Sequence, residues 1–140
     1  MIRVFIPTNI EFGIFKDECR RMYENVQDKI TDKNSFDFIC KNTFFYVFVN
    51  ENSLIGAIYY FVDEEGKLYL NGFANRKMHD LNLQCLKMST EWFDCDIYAE
   101  AQNRMSALCL LKCGFVRYKS NIFVLVKERE PGSRKEKYVF

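Results

Sequence analysis

Asn103-Arg-Met-Ser-Ala-Leu-Cys-Leu-Leu-Lys-Cys-Gly114-Phe115 decides how the rest of the chain is read. It opens on an asparagine, continues as a helix-compatible run, and closes on a glycine–aromatic pair. Asn103 suits a helix N-cap, because its side-chain oxygen accepts one of the orphan N–H groups of the first turn. Gly114 suits the positive φ that ends a helix without a Cβ penalty. Just upstream, Asp96-Ile-Tyr-Ala-Glu-Ala101 has the pattern of a short strand. A strand that stops at a polar residue and passes at once into a helix N-terminus leaves a place for a ligand against the strand's end.

Working outward, residues 115–119 and 122–127 read as two strands downstream. Upstream lies a long helix with Met78, Leu81, Cys85, Met88 and Trp92 on one face, widened by Leu83, Leu86 and Phe93. Before it come three strand runs, at 43–49, 54–62 and 67–73, rich in aromatic and β-branched residues. The turns between them, 50–53 and 63–66, are short and polar, which makes the three an antiparallel meander. The N-terminal part offers a strand over residues 2–6, closed by Pro7, with Thr8 or Asn9 as the next helix cap. Phe12, Phe15, Cys19, Met22, Val26 and Ile30 then form an apolar stripe at helical spacing, and a shorter helix covers 35–40.

The order is β-α-α-β-β-β-α-β-α-β-β. The last helix joins its strands by a crossover, so the class is α/β (α+β), with a mixed, mostly antiparallel sheet flanked by helices. No repeat or interdomain linker interrupts residues 1–140, which read as one domain. The charged tail from Glu128 is expected to be exposed, with Tyr138, Val139 and Phe140 able to dock back.

Composition sets bounds. Hydrophobic residues are 49% of 140 and aromatics 16%, enough to bury a real core. Lys+Arg 20 against Asp+Glu 19 leaves a net charge of +1 and no electrostatic case for nucleic acid or a membrane surface. The aromatic meander also lacks the interleaved basic residues of a base-stacking platform. No apolar run is long enough to span a bilayer, and the first seven residues are too short for a secretory core, so a cytoplasmic location is expected. Cys19, Cys40, Cys85, Cys95, Cys109 and Cys113 contain no C-x-x-C pair and read as apolar fillers. His79, Cys85, Cys109 and Cys113 lack any standard ligand spacing, so no metal is expected.

This order of elements, with the motif at 103–115, resembles the GNAT superfamily of acyl-CoA-dependent N-acyltransferases. The family's C-terminal motif reads roughly N-x-x-A-x-x-L-Y-x-K-x-G-F; Asn103, Ser106, Cys109, Lys112, Gly114 and Phe115 stand in register. The resemblance implies acetyl-CoA as co-substrate, an amine as acceptor, and Asn103 beside the pantetheine arm. It also implies a central parallel strand pair that splays, with Asn71, Gly72 and Phe73 giving backbone contacts to that arm. The family's pyrophosphate loop, Q/R-x-x-G-x-G/A, falls on Arg76, Lys77, Met78, His79, Asp80 and Leu81. Arg76 fits, and two cations at a helix start suit an anion. Both glycines are lost, to His79 and Leu81, and Asp80 adds an unfavourable charge.

Leu110 stands where many members have the tyrosine that protonates the leaving thiolate, and it has no proton to give. The third meander strand lacks the family's glutamate; Glu100, with help from Tyr98, or His79 are the replacement candidates for acid–base work. The Arg-Lys pair in place of the glycine loop, the asparagine spacing and the leucine are similar to GNAT-like proteins of short-tailed bacteriophages, among them internal virion proteins. The resemblance thus admits an N-acetyltransferase, or a non-catalytic GNAT-fold protein with a structural or binding role. A homodimer and a virion or other protein partner are the partner alternatives, and a place in the virion or host cytoplasm belongs with the phage reading. An unrelated α+β domain that mimics the motif is the third alternative, and absence of the strand splay would favour it.

Overall fold

Alternating apolar runs become alternating strands and helices in a computed structural model, which describes residues 1–29 and 32–127. Strand β1 (Ile2–Phe5) pairs antiparallel with β2 (Phe44–Asn50). β2, β3 (Ser53–Val62) and β4 (Leu68–Ala74) form the meander that the short polar turns dictate. β5 (Ile97–Glu100) lies parallel to β4. β7 (Ile122–Leu125) runs antiparallel to β5, and β6 (Val116–Lys119) pairs outside β7. The sheet order is β1-β2-β3-β4-β5-β7-β6. The helix that joins neighbouring parallel strands is therefore the one between β4 and β5. The last helix leads from β5 to β6, and β7 inserts between them.

Helices α1 (Phe12–Val26) and α2 (Phe36–Asn42) cover one face of the sheet. Helices α3 (His79–Thr90) and α4 (Arg104–Lys112) cover the other. The described residues thus form a mixed, mostly antiparallel seven-stranded sheet flanked by four helices. Both faces of β3 are covered, and residues 54–60 are all buried. On the first face Phe12, Phe15, Cys19 and Tyr23 pack on Phe45, Tyr59 and Phe73. On the second, Cys85, Leu86 and Leu110 pack on Ile58, Tyr60, Leu70 and Ile97. Tyr60 keeps its hydroxyl bonded inside the core by Ser89 Oγ at 2.7 Å.

Several local expectations shift. Asn9 does not cap α1; its Oδ1 takes the Ile6 N–H at 2.9 Å and closes the turn after β1. Toward the C-terminal end of α1, Tyr23 is wholly buried and its neighbour Met22 only partly. The Tyr23 hydroxyl donates to the Asn34 carbonyl. Trp92 lies beyond α3 and rests on Tyr46 and Phe48. The expectations for Ile30 and for docking of Tyr138, Val139 and Phe140 fall outside the described residues.

Candidate functional site

The site begins where one strand outruns its neighbour. β4 and β5 pair from Leu68↔Ile97 to Leu70↔Ala99. β5 ends at Glu100, while β4 continues to Ala74. The Asn75 N–H donates to the Ile55 carbonyl at 2.8 Å, which fixes the phase of the β3–β4 ladder. Residues of an antiparallel ladder alternate between bonding the partner strand and facing away. Counting back from Asn75, Phe73 and Asn71 bond β3, while Leu70, Gly72 and Ala74 turn their backbone groups toward β5. Leu70 meets β5 there, but Gly72 and Ala74 lie past its last pair. Gly72 is also held to glycine by sterics: a Cβ would sit 2.8 Å from the Ala57 carbonyl oxygen.

Where the β4–β5 pairing stops lies a groove of about 300 Å³, at the lower end of small-ligand pockets. Its walls come from β4, the end of β5, the start of α3, the first turns of α4 and the C-terminal end of α1. Of the residues expected from sequence, Asn71, Gly72, Phe73, Arg76, His79, Glu100 and Asn103 line it. Lys77, Met78, Asp80, Leu81 and Tyr98 do not. Met78 and Leu81 turn inward and pack against the core around Leu86. Lys77 and Asp80 are exposed away from it. The Tyr98 ring lies against Tyr69 and Tyr118, with the Lys67 ammonium 5.3 Å from its centroid, on the paired side of the strands.

The helix cap and the terminating glycine of the 103–115 segment are both formed. Asn103 Oδ1 accepts from the Ser106 N–H at 2.9 Å, and Ser106 Oγ accepts from the Asn103 N–H at 3.0 Å, a reciprocal capping box. The Asn103 oxygen is committed to the cap, so its amide NH2 is the end that remains to donate to a ligand. Gly114 has φ +94°, and the Phe115 N–H closes onto the Leu110 carbonyl at 3.0 Å. Leu110 is only 5% exposed and forms part of the groove floor.

Among the described lining residues, the cations Lys29 and Arg76 outnumber Glu100, the only acid, so the groove favours an anion. Before the 3-10 turn Arg76–Met78, Asn75 Oδ1 accepts from the Lys77 N–H at 3.0 Å. Burial raises the Cys109 thiol above its ordinary range, against the pull of Lys112, so this lining thiol stays protonated at neutral pH. No group of three or more metal-ligating side chains occurs among the described residues. No helix among them is long and apolar enough to cross a membrane. Sequence reading missed Lys29, Asn75 and Asn82. Asn82 carried a signal, because it lies one helical turn past His79 and shares its face. Lys29 carried none, since only the tertiary fold brings the end of α1 to β4.

With this geometry in place, the fold is recognisable as that of GNAT acetyltransferases. A GNAT-family acetyltransferase of Streptococcus agalactiae 2603 superimposes with a TM-score of 0.67 at 11% identity, over 91% of this chain and 96% of that one. An aminoglycoside acetyltransferase solved in complex with coenzyme A gives 0.66 at 11% identity, over 99% of each chain. An N-acetyltransferase of Staphylococcus aureus Mu50 gives 0.62 at 14%, over 89% and 93%. No protein-family model and no curated protein sequence matches the chain. At these identities the likeness is one of fold.

Proposed function

We propose that the chain is a GNAT-like acyltransferase domain that binds acetyl-CoA in the β4–β5 groove and passes its acyl group to an amine. The observation that carries this reading is the edge at Gly72 and Ala74, which no strand pairs on the β5 side and which faces an open groove of about 300 Å³; the Gly72 N–H donates locally to Asn71 Oδ1 at 3.0 Å. Peptide-like amides of a pantetheine arm suit backbone N–H and C=O groups that lack a strand partner. Arg76 and Lys29 supply cations for the phosphates, and the Asn103 amide a donor for the arm. Of the two residues that replace the glycines, Leu81 turns away and packs against the core, while His79 lines the groove.

In the reaction proposed, the amine nitrogen bonds the thioester carbon and the C–S bond breaks. Glu100, the acid at the groove, takes the proton lost by nitrogen and returns it to water. The thiolate takes its proton from solvent, because Leu110 has none. His79 lines the groove beside Arg76 and is the second candidate for proton transfer. Tyr98 receives no role toward the acceptor. Rate enhancement rests on orientation and on edge N–H groups that polarise the carbonyl. The experiment is isothermal titration with acetyl-CoA: heat with saturation supports the reading, and none at millimolar ligand removes it.

The buried Leu110 and the acid-free β4 favour a second reading, a GNAT-fold protein that binds CoA compounds without catalysis, or serves as an assembly partner in a cell or a virion. Saturable acetyl-CoA binding without CoA release against a panel of primary amines would select it.

A further inference from the structure

A second hollow, of about 350 Å³, lies between α4 and the β6–β7 hairpin. Its place beside the end of β5 is fixed, because the Ala101 N–H donates to the Asn121 carbonyl in the hairpin turn at 2.8 Å. Arg104 and Arg117 line it with Asn121, and no Asp or Glu does. Arg117 is held ready. Its Nη1 donates to the Ser120 carbonyl at 2.8 Å, and its guanidinium carbon stands 5.2 Å from the Phe123 ring centroid. The fork keeps further N–H donors beyond that bond. Arg104 opens α4, whose first turn holds no acid, and a cation there opposes the helix dipole. Among the described residues, neither arginine forms an ion pair. Two cations from separate elements thus share a hollow without an acid, an arrangement that an oxyanion between them would relieve.

Gln102 and Asn103 line this hollow and the groove alike, so the two meet at the turn between β5 and α4. Glu100 stands on the groove side of that turn. We propose that the hollow holds an oxyanion of the acyl acceptor, which is therefore an amine that also carries a carboxylate or a phosphate. This rests on the acyl-CoA reading of the groove. The amine lies at Glu100, and the oxyanion reaches past Gln102 and Asn103 to Arg104 and Arg117. A guanidinium fork gives either oxyanion two parallel hydrogen bonds. A plain alkylamine leaves both arginines without an anion and gains nothing from the hollow.

The test titrates ω-amino carboxylates and ω-aminoalkyl phosphates of graded chain length into the labelled full chain, with plain alkylamines of the same lengths as controls. NMR follows the Arg104 and Arg117 guanidinium signals and the Asn121 carboxamide, and acetyl-CoA is titrated separately into the same protein. At the best length, the acid-bearing amine shifts these three residues and binds at least about tenfold more tightly than its alkylamine, as charge-assisted hydrogen bonds require. The acid that does so identifies the oxyanion. Arg117→Ala lowers that affinity to the alkylamine's, and Arg117→Lys restores only part of it. Should Arg117→Ala fail to fold, Arg104→Ala carries the same comparison. Equal affinity for acid-bearing and plain amines, or shifts away from the hollow, overturns the proposal; acetyl-CoA shifts at Gly72 and Ala74 then leave the acyl-CoA reading standing. Shifts at the arginines in a chain that binds no acetyl-CoA overturn the acceptor assignment together with that reading.

Discussion

Asn103 shows how one residue serves the fold before it serves a ligand. Its oxygen caps α4 in a reciprocal pair with Ser106, and this part of its role was legible in the sequence, because the i, i+3 spacing of Asn and Ser is local. Asn103→Ala is expected to lose about 1 kcal/mol of stability. That is a fall of about 4 °C in the midpoint measured by scanning calorimetry. Leu110 is the opposite case. The sequence shows that it has no proton to offer, but its burial at 5% depends on packing against distant strands. Leu110→Ala is expected to cost about 3 kcal/mol, read from urea unfolding, because it empties space in a core that cannot fully collapse.

The strand edge is the element on which the account turns. Leu70 is paired with β5, whereas Gly72 and Ala74 lie beyond the last pair at Ala99. Hydrogen exchange resolved by residue should find the Leu70 and Phe73 amides protected and the Ala74 amide fast, with Ala74 slowing when acetyl-CoA is added. Equal protection of Leu70 and Ala74 without ligand would mean that the strands stay paired. The meander and the helices α3 and α4 were legible because turn chemistry and apolar spacing are local signals; which helix joins neighbouring parallel strands was not. The expected pyrophosphate turn was legible only in part. Arg76 and His79 reach the groove, but Met78 and Leu81 follow the apolar stripe of α3 into the core. Helical periodicity decided those two positions, and alignment to a motif could not reveal it. That Asn71 stands opposite Tyr59 was also hidden, since it needs the β3–β4 register.

For the whole molecule, both faces of one sheet carry cores, and thiols are buried in each. Burial pushes the thiols of Cys40 and Cys85 up from 9.0 to about 12, and that of Cys19 higher still. Unfolded thiols ionise near pH 9, while the native ones hold their protons, so the folded state binds more protons above that pH. This part of the stability is complete below about pH 9 and lost as pH rises toward 12. The thermal midpoint followed by circular dichroism should fall steadily from pH 9 upward. A flat profile to pH 11 would contradict the burial. Native protein should react quickly with a disulfide reagent at the exposed Cys95, and at Cys19 and Cys85 only after unfolding. These scales meet at the strand edge that the fold leaves open, for which we propose an acyl-CoA ligand. That proposal is tested most directly by titrating acetyl-CoA into the labelled chain and following every backbone amide by NMR. The account predicts saturable shifts at Gly72, Ala74, Arg76, His79, Asn103 and Ser106. Shifts confined to other surfaces, or none at millimolar ligand, would contradict it.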